Sequence, residues 1–247
     1  MAVPPDLPDA VVRYADHADG LLDVHLPARP IGRSVLLLHG GFWKTAYDRT
    51  HTRGMASALA DEGFLVATPE YRRVGPGGTG GWPSTGADVL RAVTMLPDLL
   101  GRIGVDAGRV QVCGHSAGGH LALWLASSLP AGSVERVVGL APVCDLREAA
   151  RLGLGSDAVR AFLGAREPDD ADPMALFSDR PTPEVHVVHG VDDDVVPVSL
   201  SRRLVARHPW VRLEEVPGGH FEVIEPGSVS WPSVVRALSS PVPHRGG

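Results

Sequence analysis

Ser116 stands in RVQVCGHSAGGHL, residues 109–121, where an apolar run breaks into GHSAG just before a helical pattern begins. A chain that passes abruptly from strand to helix lifts the side chain at the turn above the sheet edge. Gly114 and Gly118, two residues before and two after, remove side chains that would collide there. The following helix aims its free first amides at the point where negative charge would gather on an attacked carbonyl. The pattern therefore predicts a nucleophile. A serine hydroxyl is weak in that role until a base takes its proton and a carboxylate orients the base, so the chain must supply both.

VHVVHGVDDDVVP (185–197) offers three acids directly after an apolar run. Asp193 is the expected carboxylate, four residues beyond His189 and four before Pro197. Asp194 is its rival, since spacing does not separate neighbours in a loop, and Asp192 is expected to face solvent. VPGGHFEV (216–223) then places His220 after another strand, with Gly218 and Gly219 to let the imidazole turn back over the serine. His220 is the expected general base. His115 and His120 lie too near Ser116 along the chain, and His189 precedes the acidic loop, so these three are read as shaping or packing residues. HGGFW (39–43) closes a further strand and supplies backbone donors for an oxyanion. The expected donors are the amides of Gly41 and Ala117, with Phe42 as a third candidate, each worth about 3 kcal/mol to the transition state.

Trp43, Tyr47, Trp82 and Phe221 are the aromatic candidates for an apolar substrate pocket, joined by Phe42. For Trp82 a surface anchor packed on its own loop is an equal reading. The histidines fall into no recognised metal-ligand spacing, and PGGTGG lacks the GK[ST] ending of a phosphate loop, so no metal and no cofactor are expected.

The elements that must position these residues alternate along the chain. Strands are predicted at 11–15, 21–26, 34–40, 65–71, 109–114, 134–143, 184–190 and 211–217. Helices are predicted at 48–63, 84–96, 118–129, 198–207 and 230–239. Several strands are nearly continuous apolar runs, which implies a parallel sheet covered on both faces. The fold class is thus α/β: a doubly wound, mostly parallel sheet of about eight strands with helices on both faces, in a single domain over 1–247. Residues 145–183 break the rhythm and are read as a small insertion. It is expected to form a partial cap drawing on Leu154, Phe162, Met174 or Phe177, too short for a large lipase lid. The tail from 240 is expected to fray.

The 23 basic and 29 acidic residues argue against a nucleic-acid binder working through general charge. Aromatics, at 5%, are too few for a run of base-stacking platforms. The start MAVPPDLPDA has no signal-peptide pattern and no apolar run reaches membrane-spanning length, so a soluble cytoplasmic protein without a membrane partner is expected. Cys113 and Cys144 fall in apolar runs and read as buried thiols. Monomer and homodimer both stay open.

HGGFW, GHSAGG, HGVDDDVVP and GGHF together resemble the α/β-hydrolase superfamily, in its order and across nearly the whole chain. Within it the chain looks like the esterase-lipase branch that includes kynurenine formamidases (arylformamidases) and small carboxylesterases. That resemblance implies triad roles for Ser116, Asp193 and His220 and oxyanion roles for Gly41 and Ala117. Gly119 ahead of His120 departs from formamidases that carry alanine there, and serine at 116 departs from dienelactone hydrolases. The expected activity is cleavage of small or aryl carboxylic esters through an acyl-enzyme. Hydrolysis of N-formylkynurenine is the alternative, and a non-catalytic binding module on the same fold is the reading from another class.

Overall fold

Alternate residues of the apolar runs divide between two cores, and this division dictates the architecture. The structure, a computed structural model, describes residues 6–177 and 183–240. Three strands open the chain: β1 (Ala10–Arg13), β2 (Leu21–His25) and β3 (Arg33–Leu38). A 3-10 turn at Arg49–Thr52 leads into α1 (Arg53–Asp61), β4 (Leu65–Pro69) and α2 (Ser84–Arg102). Next come β5 (Arg109–His115), α3 (Ala117–Ser128) and β6 (Arg136–Leu140). Three short helices follow, α4 (Leu146–Arg151), α5 (Leu154–Leu163) and α6 (Pro173–Leu176). The chain then runs through β7 (Glu184–Gly190), α7 (Ser199–Arg207), β8 (Arg212–Val216) and α8 (Trp231–Ser239).

The strands form one eight-stranded sheet in the order β1-β2-β4-β3-β5-β6-β7-β8. β2 pairs antiparallel with both of its neighbours, and every other pairing is parallel. Leu36 and Leu38 of β3, Ala67 of β4, Val112 of β5 and Val187 of β7 face one core, together with α2, α3 and α7. Val35 and Leu37, Val66, Cys113 and Val188 face the other, together with α1 and α8. Successive strand residues point to opposite faces, so a run apolar at every position feeds both layers. This is the α/β-hydrolase fold, as the sequence predicts. None of the helices in the described residues is long and apolar enough to cross a membrane.

Several boundaries differ from expectation. α2 was expected to stop at 96 but runs through Pro97 to Arg102. Proline inside a helix typically costs about 3 kcal/mol, yet Leu99 and Leu100 are buried one turn later, and their burial offsets that cost. β1 begins earlier than 11–15, and β6 is shorter than 134–143. The frayed-tail expectation concerns 240–247, of which 241–247 lie outside the described residues, as do 178–182 of the insertion.

The insertion packs on α3. That helix is buried at every position from Ala117 to Ala126, so it needs cover on the face turned away from the sheet. His120 donates from Nε2 to the Ala171 carbonyl at 2.8 Å, and Trp124 donates from Nε1 to the Asp170 carbonyl at 3.1 Å. Phe162 and Phe177 are buried in the same core, with Leu154 and Met174 partly buried against it.

Candidate active site

β5 delivers Ser116 at the turn into α3 with φ 56° and ψ −115°, a region that side-chain-bearing residues rarely occupy. Such strain typically costs about 1–3 kcal/mol and persists only where the surroundings over-determine it. Here the backbone does so. The Ser116 amide donates to the Leu140 carbonyl at 2.8 Å, and its own carbonyl accepts from His120 at 3.0 Å and Val143 at 3.2 Å. A Cβ on Gly114 would collide with the Gly118 backbone, and one on Gly118 with the carbonyls of Leu38 and His39. Close approach, rather than turn geometry, is what demands these two glycines.

Asp193 and His220 meet at 2.7 Å, Nδ1 to Oδ2. A carboxylate only accepts, so Nδ1 carries the hydrogen and Nε2 keeps a free lone pair. The other Asp193 oxygen accepts from the amides of Val195 (2.9 Å) and Val196 (2.8 Å). Burial alone would raise the Asp193 pKa, but hydrogen bonds from His189, His220 and Val196 outweigh it and hold the carboxyl well below the usual range. His189 is a second partner for the acid: its Nε2 lies 2.8 Å from the Val196 carbonyl and 3.2 Å from Asp193 Oδ2, while Nδ1 takes up Ser201 at 2.7 Å. The rival carboxylates take no such part: Asp192 and Asp194 are both exposed.

Gly41, Phe42 and Trp43 follow one another at φ 104°, 51° and 57°. This left-handed turn leaves the Gly41 and Phe42 amides without backbone partners among the described residues. Ala117, as the first residue of α3, likewise has no acceptor one turn back. The turn is tied down from behind by charge. His39 is fully buried and donates from Nε2 to Glu70 and from Nδ1 to the Gly40 carbonyl, both at 2.8 Å. The Tyr71 ring stacks on His39 at 4.2 Å, and its hydroxyl donates to the His39 carbonyl at 2.7 Å. Glu70 also accepts from the Arg49 amide at 3.0 Å and pairs with Arg73 at 3.2 Å. Buried Asp23 in turn holds Arg49 and Arg53, each at 2.8 Å. Burial pushes the Glu70 carboxyl up, but the His39 bond and the Arg73 charge bring it below the ordinary value.

Ser116, His220, Gly41 and Phe42 line one cavity of about 520 Å³, with Tyr47, His51, His115, Val195, Phe221 and Ile224 completing its walls. No hydrogen bond joins Ser116 Oγ to the His220 imidazole, although both line this cavity. Unliganded sites often have this looseness and tighten around substrate. Tyr47 and Phe221, 52% and 60% exposed, form the mouth.

Two expected pocket residues lie elsewhere. Trp43 is fully buried, stacked on Phe162 at 4.3 Å and edge-on to His120 at 5.1 Å. Its backbone belongs to the Gly41–Trp43 turn, but the positive φ throws the indole down into the core. Trp82 packs edge-on against Trp124 at 5.0 Å and is buried, so it is neither a cavity wall nor a surface anchor. None of Leu154, Phe162, Met174 and Phe177 lines the cavity. Among the described residues of the insertion, Gly155 packs against the ring of the wall residue Phe42, and its carbonyl accepts from Lys44 Nζ at 2.6 Å.

Several contributors were not anticipated. His51, Val195 and Ile224 line the cavity, and Glu70, Tyr71, Arg49 and Asp23 brace the oxyanion turn. VDDDVV does supply the local signal for Val195. Nothing in RTHT singles out His51. Among the described residues no group of three or more His, Cys, Asp or Glu side chains is arranged to hold a metal ion. Cys113 and Cys144 are free and buried, and burial raises both thiol pKa values, that of Cys113 to about 12.

Comparison with known proteins agrees with this architecture. Esterase LipC of Mycobacterium tuberculosis is 28% identical over 237 residues, covering 86% of this chain and 57% of LipC. Neutral cholesterol ester hydrolase 1 of Rattus norvegicus is 37% identical over 100 residues, 39% of this chain and 24% of that protein. The chain thus spans little more than half of LipC and about a quarter of the cholesterol ester hydrolase. Among solved structures, a truncated carbohydrate esterase from gut microbiota superposes with a TM-score of 0.77 at 19% identity, covering 94% of this chain and 95% of the other. Esterase B from Lactobacillus rhamnosis gives 0.76 at 21% identity, covering 94% and 85%. At these identities the superpositions speak for the fold. The family described as BD-FAE matches residues 22–207, well over half of the 247 residues, and the chain belongs to that family.

Proposed function

We propose that the protein is a serine hydrolase that cleaves carboxylic esters of small or aryl substrates through an acyl-enzyme. The observation that carries this reading is the Asp193–His220 pair opening onto the cavity that also holds the strained Ser116. In the proposed reaction Ser116 Oγ attacks the ester carbonyl carbon while His220 Nε2 takes the hydroxyl proton. Asp193 fixes the tautomer through Nδ1 and stabilises the imidazolium that forms. The carbonyl oxygen, now negative, meets the amides of Gly41, Phe42 and Ala117, which need little reorganisation to receive it. Collapse of this intermediate breaks the bond to the alcohol oxygen, which leaves with the proton from His220. Water, deprotonated by the same imidazole, then attacks the acyl-enzyme and releases the acid and free Ser116.

Tyr47 and Phe221 serve in this reading as the aromatic mouth, and the described residues of 145–183 act on it through Gly155, packed behind Phe42, within a single 1–247 hydrolase unit. The esterases among the relatives support the choice of ester cleavage over formamide cleavage, which shares the nucleophile and differs in the leaving atom. A panel of short p-nitrophenyl and alkyl esters, with N-formylkynurenine as its amide arm and the Ser116→Ala protein as blank, tests the proposal. Turnover of the esters that vanishes in the blank is expected. Faster turnover of N-formylkynurenine would make the protein a formamidase. No turnover by folded protein on any arm would leave a binding module.

A further inference from the structure

The mechanism has no task for the residue just ahead of the nucleophile. His115 ends β5, is 2% exposed, and carries one ring nitrogen, Nδ1, that is buried without a partner. Leaving such an atom unsatisfied typically costs about 1–3 kcal/mol. A leucine or phenylalanine would avoid the cost if packing were the whole purpose. The other nitrogen shows what is gained. Nε2 lies 2.9 Å from the backbone carbonyl of His220, 105 positions along the chain. A carbonyl can only accept, so Nε2 carries the hydrogen and donates it.

We propose that His115 is a positioning residue, tying the strand that presents Ser116 to the backbone of His220 and so fixing the base over the nucleophile. This rests on the roles given above to Ser116 and His220. Asp193 holds the His220 imidazole at Nδ1. One bond at that end leaves the ring free to move with its own backbone, and the approach through Gly218 and Gly219 is anchored at the Gly218 carbonyl by the Asp192 amide and at the Gly219 amide by Glu222, but not at His220 itself. The bond from His115 holds the other end, at the His220 carbonyl. Base and nucleophile then share one rigid reference, strand β5.

Histidine suits the task better than the other donors of similar reach. The His115 and His220 rings lie 4.5 Å apart at an angle of 47°. A lysine or arginine there would set a permanent positive charge against the imidazolium that forms on His220 during acyl transfer. Burial first, and the neighbouring His220 second, push the His115 pKa down to about 3, so it donates while staying neutral. The fit is also tight on the far side, where a Cβ on Gly40 would come within 3.0 Å of His115 Nδ1.

The test compares His115→Leu, which removes the donor, with His115→Gln, whose amide keeps one. Each is measured against wild type for kcat and KM on p-nitrophenyl butyrate across pH, with circular dichroism to verify folding. The leucine variant is expected to lose about 10- to 100-fold in kcat, the size typical of a misplaced catalytic group, with KM changed less than about threefold. The acid limb of its kcat/KM profile moves to lower pH, because the loosened imidazolium loses its alignment with Asp193. The glutamine variant recovers most of kcat and the wild-type limb. Wild-type kcat and profile in a folded leucine variant would overturn the proposal, and so would equal impairment of both variants, which would mean packing alone. Should the leucine variant not fold, His115→Asn, whose shorter amide falls short of the carbonyl, replaces it with the same expectations. Wild-type turnover that depends on Ser116 keeps the esterase reading standing whichever way this comparison falls.

Discussion

On one side of the cavity Ser116 is held by backbone: three main-chain hydrogen bonds, two glycines packed against neighbouring peptide groups, and the start of a buried helix. Beside it the Gly41–Trp43 turn has backbone bonds from Lys44 to Gly41 and from Val74 to Trp43, and is braced in addition by side chains, through a buried chain of contacts running from His39 to Glu70, Arg49 and Asp23. Both walls place strained backbone at the cavity, and each resists relaxation by different physics. Steric exclusion is independent of salt and of protonation. A buried ion network depends on every member keeping its charge, since removing one partner leaves another charge unpaired in a poorly solvated place. The two walls should therefore fail differently.

The largest effect is expected from the steric wall. Gly118→Val would drive a side chain into the Leu38 and His39 carbonyls, with no flexible neighbour to yield. Loss of soluble folded protein, read by expression and circular dichroism, is the expected result. A folded, active Gly118→Val protein would break the comparison at its strongest point.

That wall was also the legible one. GHSAG names its own geometry, because only glycine permits the close approach that the strand-to-helix turn requires. Asp193 and His220 were expected for a related reason: each follows a strand, and the two strands end on the same side of a parallel pair. The ionic wall was not readable. Glu70, Arg49 and Asp23 are ordinary charged residues in sequence, and only the pairing of β2 with β4 brings Asp23 into the same cluster as Glu70. Trp43 misled for a local reason, since three successive positive φ values reverse the direction in which its side chain leaves the turn. Trp82 reads as a loop residue until α3 supplies Trp124 as its partner. The path of α2 past Pro97 was hidden because burial of later leucines, not propensity, decides it.

A smaller effect is expected from the ionic wall. Glu70→Gln keeps the shape and removes the charge, depriving His39 Nε2 of its carboxylate partner and leaving Arg73 with Asp19 alone. A loss of about 3–5 kcal/mol in stability is typical for one partner of a buried pair. Urea denaturation reads it, and kcat on a short ester should fall as the oxyanion turn loosens. Equal stability of Glu70→Gln and wild type would show that the turn does not rely on this pair.

Two of the aromatic pocket expectations, Trp43 and Phe221, give a finer contrast. Trp43→Leu should cost about 3 kcal/mol of stability, as large-to-small core changes do, with KM near wild type. Phe221→Ala should leave the melting temperature unchanged and raise KM several-fold, because Phe221 is 60% exposed at the mouth. The reverse pattern in melting and KM measurements would return Trp43 to the pocket.

The gentlest probe is pH. Burial lowers the His115 and His120 pKa values from 6.5 to about 3 and about 4. As pH falls from 6.5 toward 4, the unfolded chain takes up protons at both positions and the folded protein does not, so stability declines across that window. Asp193 and Glu70 have depressed pKa values, and the stability they contribute is lost only below their ordinary values of 3.8 and 4.5. Urea midpoints at pH 7, 6 and 5 should fall in wild type and fall less steeply in His120→Gln, where His115 still contributes. An unchanged slope in that variant would contradict burial of a neutral ring at 120.

The central claim is that Ser116 alone is the activated hydroxyl of this chain. Incubation with a fluorophosphonate, digestion and mass spectrometry read it directly. The account predicts one adduct, on the peptide containing Ser116, absent from the Ser116→Ala protein and slowed in a His220→Ala protein. An adduct on another residue, or none on folded wild-type protein, would contradict it.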